Sequence, residues 1–203
     1  MTPQKRAFDL ILVLLMILWL GPILLLVLAV MLVLDGRPLF YTSERMKTPD
    51  KAFTLWKLRT MTVNRGPETG VSGGDKSARI SSFGRFLRKT RADELPQLWN
   101  ILRGDISFVG PRPPLRDYVE RFPKLYAEVL KSRPGVTGLA TLRFHRHEES
   151  LLAPCGDAAQ TDAVYARRCV PRKAEIDLIY QRNQSVCYDL KLIGQTFGKV
   201  IPK

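Results

Sequence analysis

The chain has 203 residues, with 32 Lys or Arg against 19 Asp or Glu, a formal charge of +13. That length holds one domain with its own core beyond an apolar N-terminal run, and the basic balance fits an anionic partner: nucleic acid, lipid headgroup or phosphorylated substrate. The three cysteines, Cys155, Cys169 and Cys187, are odd in number and widely spaced, which argues against a disulfide framework and for a reducing compartment.

Leu10 to Leu34 carries no charged or strongly polar side chain. As a straight helix it is about 37 Å long, against a hydrocarbon core of about 30 Å. It is longer than the apolar stretch of a signal peptide and runs into Leu34-Asp35-Gly36-Arg37-Pro38, which is not a small-residue cleavage site. Gly21-Pro22 sits near its middle, and Pro22 lacks the N–H that would continue the helical ladder, so a kink is expected there. Basic residues lie on both flanks: Lys5 and Arg6 before the run, Arg37, Arg45, Lys47, Lys51, Lys57 and Arg59 after it. Basic flanks mark the cytoplasmic side. A kinked single span puts one flank on the wrong side. A re-entrant hairpin, each half roughly 16–20 Å long, keeps both on one face. These residues alone leave both arrangements open.

Two short strands follow, Pro38 to Thr42 and Ala52 to Thr60, the second alternating with Phe53, Leu55 and Leu58 on or near a buried face. Lys47-Thr48-Pro49-Asp50 reads as the turn between them. Asn64 to Asp75, rich in glycine, reads as a loop. Ser82 to Lys89 has Phe83, Phe86 and Leu87 on one helical face and Arg85, Arg88 and Lys89 elsewhere, the pattern of a basic amphipathic helix at an anionic surface.

The next helix carries the chemistry. Asp93 and Glu94 open it, with Arg85, Arg88, Lys89 and Arg91 just upstream, and Leu95, Leu98, Trp99 and Leu102 form an apolar stripe. Pro96 fits only in a first turn, which places Asp93 at or near the N-cap. A carboxylate held among cations suits attack on a phosphate ester; a plain helix cap is the competing reading. Val109 to Pro114 is a stiff loop whose prolines fix Arg112, and a guanidinium so held suits bidentate phosphate contact. Leu115 to Arg133 reads as helical with an interruption at Pro123, and Arg133 to Gly138 as a tight turn. Helices are expected over about 161–182, breaking near Pro171, and about 186–200, with Val186, Leu190, Ile193, Phe197 and Val200 as one stripe. His145, His147 and Cys155 match no zinc-ligand spacing. No P-loop, dinucleotide fingerprint or Ser-His-Asp arrangement is present.

Taken in order, these segments resemble the bacterial sugar transferase family, the small monotopic phosphoglycosyl transferases. The likeness rests on Lys5-Arg6-Ala7-Phe8-Asp9, Gly36-Arg37-Pro38-Leu39-Phe40, Trp56 to Met61, Ala92 to Leu98, Gly104 to Pro113 and Arg133 to Gly138. It implies an α+β, mainly helical fold: a re-entrant helix–break–helix over residues 1–35, broken at Gly21 and Pro22, and a catalytic domain over 36–203 with interfacial amphipathic helices and short strands. Relatives often carry Ser-Pro at the break where this chain has Gly21-Pro22. The implied reaction moves a sugar-1-phosphate from a UDP-sugar to undecaprenyl phosphate, releasing UMP. Asp93 would be nucleophile and Mg²⁺ ligand, with Glu94 assisting. Arg112 would bind the nucleotide, and Lys57, Arg59 and Arg88 are candidate phosphate contacts. The implied place is the cytoplasmic face of the bacterial inner membrane, with membrane lipid and no nucleic acid as partner. The likeness weakens after Gly138, and residues 143–169 have no assigned counterpart. A basic membrane-tethered binding module, or an inactive subunit of a polysaccharide assembly complex, accounts for the charge but not for the Asp93-Glu94 pair.

Overall fold

The computed structural model describes residues 1–62 and 79–200. The loop expected over Asn64 to Asp75 lies outside the described residues. Helix α1 (Pro3–Leu34) begins at Thr2, whose side chain accepts from the Lys5 N–H. It is one continuous helix with Pro22 inside it, so the expected interruption at Gly21-Pro22 does not appear as a gap in the helix. What does appear is a difference along its length. Lys5, Asp9 and Val13 near one end and Met31 near the other are buried, whereas Ile17, Leu18, Trp19, Ile23, Leu25 and Leu26 between them are exposed.

Both ends dock on the same domain. Arg6 donates to the carbonyls of Ile101 and Leu102 at 2.6 and 2.8 Å. Lys5 is ion-paired with buried Asp189, and Asp189 also accepts from Tyr180 at 2.7 Å. Removing one partner from such a buried pair costs about 3–5 kcal/mol. Beyond the other end, Arg59 donates to the carbonyls of Asp35 and Gly36 at 2.5 and 2.9 Å. Arg6 and Arg59 thus each place a cation at a helix C-terminus, Arg6 over the last turn of Gln97–Arg103 and Arg59 over the two carbonyls that follow α1, where a cation complements the helix dipole.

Strands β1 (Phe40–Thr48) and β2 (Lys51–Leu58) form an antiparallel hairpin around Pro49-Asp50, with Phe40 opposite Leu58. The first strand is longer than expected because the pairing runs to the turn. Leu55 and Leu58 are buried as expected, but on opposite faces of β2: Leu55 joins the main core, and Leu58 packs with Met31 and Leu87. Helix α2 (Ser82–Thr90) starts where Ser81 accepts from the Gly84 N–H. Its Leu87 packs with Leu58 and Met31, but Phe86 is exposed.

Helix α3 (Gln97–Arg103) follows. Its most buried residues are Gln97, Asn100 and Ile101; of the expected stripe, Leu98 and Leu102 are partly buried against the main core, while Trp99 is exposed. The reason is Asn100, which accepts from the Trp56 N–H at 3.1 Å and donates to the Thr54 carbonyl at 2.8 Å, turning that face onto β2. Strands β3 (Ser107–Val109) and β4 (Gly135–Thr137) pair in parallel, so the segment expected as a turn over 133–138 holds a strand. The two backbones touch at glycines. A Cβ on Gly110 would lie 2.1 Å from the Arg133 carbonyl oxygen, and one on Gly138 would lie 2.2 Å from the Gly110 oxygen. That crossing fixes the entry to Pro111-Arg112-Pro113.

Helices α4 (Arg116–Arg121) and α5 (Pro123–Val129) divide at Pro123, as expected. Helices α6 (Leu139–Leu152) and α7 (Ala158–Val164) occupy the stretch without an assigned counterpart. A five-residue π-helical turn, Tyr165–Cys169, joins α7 to α8 (Val170–Arg182), so Pro171 sits in a first turn instead of breaking a helix. In α9 (Val186–Val200) the buried residues are Asp189 and Leu192. Of the expected stripe, Ile193 packs against the main core but Leu190 and Phe197 are exposed, because the pairing of Asp189 with Lys5 and Tyr180 rotates the Asp189–Leu192 side inward. The main core joins Val13, Leu55, Ile101, Ile106, Phe108, Val109, Leu139, Leu142, Tyr180 and Leu192. It stands behind the site described next.

Candidate active site

Helix α2 ends at Arg91, a non-glycine residue in left-handed backbone (φ 57°), and the chain enters a single 3₁₀ turn, Ala92–Glu94. Asp93 lies inside this turn. It does not cap α3, which begins at Pro96 without a side-chain cap. The reading of Asp93 as a plain helix cap is therefore overturned by where the helix starts.

Neighbouring Glu94 is held on both oxygens. Oε1 accepts from Lys57 Nζ at 3.0 Å, and Oε2 accepts from Arg91 Nη2 at 2.6 Å and Nε at 3.2 Å. Burial pushes its carboxyl up, but the charges of Lys57 and Arg91 prevail and bring it to about 2. Asp93 is shifted the other way. Burial raises it, Glu94 adds to the rise, and Lys57, Arg88 and Arg91 only partly counter. Burial also lowers Lys57, although Glu94 opposes that shift. The pair is thus one fixed, fully ionised carboxylate beside one buried carboxylate whose charge is incompletely matched.

Both line a cleft of about 1300 Å³. Lys57, Arg59, Arg88 and Arg112 line the same cleft; the charges of Lys57 and Arg88 act on Asp93, and those of Lys57 and Arg112 on Glu94. They are not equivalent. Arg88 Nε donates to Thr60 Oγ1 at 2.8 Å. Arg59 is committed through Nη2 to the carbonyls after α1. Arg112 is exposed between buried Pro111 and Pro113, its backbone fixed and its guanidinium facing the cleft.

Arg45 reads from sequence only as part of a basic flank, with no role at the site. It lies on the cleft-lining face of β1 with Tyr41 and Ser43, and burial followed by the charge of Arg112 pushes it down to about 10. The i, i+2, i+4 spacing of Tyr41, Ser43 and Arg45 is the signal that could have found it, once β1 runs to its full length. The far part of the cleft is built by α6 and α8 from residues equally unassigned: Glu148, Lys173 and Asp177, with Tyr165 from the π turn. His145 lines the cleft and lies 3.4 Å from Glu149, and His147 packs edge-on against Phe144.

Among the described residues no three His, Cys, Asp or Glu side chains converge on a metal position. Both Glu94 oxygens are occupied by cations, so a divalent ion here would take Asp93 as its protein ligand and complete its shell from substrate phosphates and water. That set fits Mg²⁺, which keeps waters and binds through one or two carboxylates plus phosphate oxygens.

The profile of the bacterial sugar transferase family matches residues 1–203. The chain is 33% identical over 199 residues to an uncharacterised sugar transferase, EpsL, of Bacillus subtilis, covering 97% of this chain and 87% of the relative. It is 31% identical over 198 residues to a UDP-glucose:undecaprenyl-phosphate glucose-1-phosphate transferase of Klebsiella pneumoniae, covering 96% of this chain and 39% of that longer relative. It is 31% identical over 212 residues to the exopolysaccharide production protein ExoY of Sinorhizobium fredii, covering 97% and 85%. The resemblance drawn from the ordered sequence segments is borne out, and the chain belongs to the bacterial sugar transferase family.

Proposed function

We propose that this chain transfers a sugar-1-phosphate from a UDP-sugar to undecaprenyl phosphate at the membrane surface, as an early step in building an exopolysaccharide or related glycoconjugate. The observation that carries this is Asp93: a buried carboxylate, raised in pKa, beside a Glu94 already neutralised by Lys57 and Arg91, in a cleft lined by arginines. A carboxylate with incompletely matched charge is a better nucleophile than one locked in an ion pair.

In the proposed sequence, an Asp93 oxygen attacks the sugar-linked phosphorus of the donor. The bond from that phosphorus to the bridging oxygen breaks, and UMP leaves with the electron pair. A phosphate oxygen of undecaprenyl phosphate then attacks the same phosphorus, releasing Asp93 as carboxylate and giving the lipid diphosphate sugar. Lys57 and Arg91 hold Glu94 and keep it from competing for the attack, while Arg112, Arg45 and Arg88 offset the phosphate charges. Arg59 acts mainly at the exit of α1. Bound Mg²⁺, with Asp93 as its protein ligand, supplies charge neutralisation at the diphosphate.

The membrane arrangement we propose is re-entrant, with α1 bending at Pro22 and both ends at the cytoplasmic face. Support comes from the two ends of α1 docking on one domain while its middle is bare. Exposed Phe86, Trp99, Leu190 and Phe197, on α2, α3 and α9, suit the same interface.

The test is UMP release from purified protein in lipid with Mg²⁺, undecaprenyl phosphate and a panel of UDP-sugars. Release with one or a few donors is expected, falling at least about a thousandfold in Asp93→Asn. Release that persists in Asp93→Asn would remove Asp93 from the chemistry.

A further inference from the structure

The cleft is electrically divided. Around Asp93 it is lined by Arg45, Lys57, Arg88 and Arg112, whereas between α6 and α8 it presents carboxyl groups. On α8, Val170, Lys173, Ala174 and Asp177 recur at i, i+3, i+4 and i+7, and all four line the cleft. Lys173 Nζ donates to both oxygens of Glu148, at 3.1 and 2.9 Å, and to Tyr165 Oη at 3.3 Å. The π turn that carries Tyr165 is a helix irregularity of a kind often found at functional sites.

Asp177 sits one turn beyond Lys173 and is 7% exposed. Its Oδ1 is buried and accepts no hydrogen bond. Burial pushes its carboxyl up to about 7, and Lys173 and the Ala140 backbone N–H at the start of α6 counter only part of that rise. A buried acceptor without a partner is uncommon in a folded protein and calls for a donor. The donor the charge pattern favours is a neutral hydroxyl group. A phosphate would meet the carboxyls of Asp177 and Glu148, and the cations at the other part of the cleft already suit it.

We propose that Asp177, flanked by the Glu148–Lys173–Tyr165 network, forms the subsite that reads the ring hydroxyls of the donor's pyranosyl group. This rests on the transferase reading above. The otherwise unassigned α6–α8 region then selects the sugar, while the arginine-lined part holds the diphosphate.

The experiment is calorimetric titration of the full chain in lipid nanodiscs with UDP, UDP-glucose, UDP-galactose and UDP-N-acetylglucosamine. Acceptor is left out, and the background is Asp93→Asn to prevent turnover. Asp177→Leu removes the hydrogen-bonding group while keeping the branched shape, and should weaken the best-bound UDP-sugar about tenfold or more, leaving UDP unchanged. Asp177→Asn keeps an acceptor and should restore part of the difference between sugars. Unchanged UDP affinity also reports that each variant is folded. Equal ratios of UDP-sugar to UDP affinity in parent and Asp177→Leu would overturn the inference, as would loss of UDP and UDP-sugar binding in step. Failure of both this background and the wild type to bind any of the four nucleotides would instead overturn the transferase reading, and the subsite with it.

Discussion

Asp93 and Glu94 are neighbours in the chain with opposite electrostatic fates, and the difference comes from geometry. Glu94 faces Lys57 and Arg91 at hydrogen-bond distance, whereas Asp93 feels the same cations only from further away. Stability should record this. The Glu94 carboxyl is depressed from an ordinary 4.5 to about 2 in the folded chain, so its contribution is present above pH 4.5 and lost as pH falls toward 2. The size is on the order of 3 kcal/mol. Asp93 acts in reverse: its raised value costs stability as pH climbs above its usual range. Chemical denaturation of the wild type and Glu94→Gln across pH 2.5 to 6 checks the point. The variant should be less stable at neutral pH and should lose less on acidification. Parallel curves for the two proteins would mean that the ion pairs of Glu94 contribute nothing.

Among the elements, α1 decides how the protein meets the membrane. A straight helix of this length reaches about 48 Å, yet residues at both of its ends are tied to one domain through Arg6, Lys5 and Arg59. A re-entrant path predicts that Gln4→Cys and Arg37→Cys, each in a Cys187→Ser background, react with an impermeant maleimide from the cytoplasmic side only. Labelling from opposite sides would establish a span. The elements also show what the sequence could tell. The β1–β2 hairpin, α2 and the division at Pro123 were legible because alternation, an amphipathic period and a proline act locally. The faces of α3 and α9 were legible only in part: Leu98, Leu102 and Ile193 of the stripes pack against the main core. Apolar periodicity pointed to Trp99 and Leu190, but Asn100 and Asp189 take the inner positions because their partners come from β2 and from Lys5, Tyr180 and α1. Long-range polar pairing overrode the stripe, and one sequence carries no sign of it. Exposed apolar residues left on those faces are a cost in water and an asset at a bilayer.

For the whole molecule, the same cross-links that dock α1 also frame the cleft. Lys57 and Arg59 are two residues apart on one strand and its extension: the first holds Glu94, the second holds the exit of α1. The proposed nucleophile and the apolar N-terminal helix are thereby referred to one hairpin, which suits the proposed transfer to a lipid acceptor. The Asp93-Glu94 pair and Arg112 were readable because a carboxylate pair amid cations and a proline-framed arginine are local patterns. Arg45, Lys173 and Asp177 come to the cleft only through strand pairing and helix packing. The central claim is that Asp93 carries the phosphosugar between donor and lipid. The most direct measurement is the intact mass of the protein after incubation in lipid with Mg²⁺ and its working UDP-sugar, without undecaprenyl phosphate. The account predicts a mass gain equal to one sugar phosphate, mapping to the peptide that contains Asp93, discharged by added undecaprenyl phosphate and absent in Asp93→Asn. Rapid turnover with no covalent adduct at any time, and none trapped by acid quench, would contradict it and point to direct displacement by the lipid phosphate.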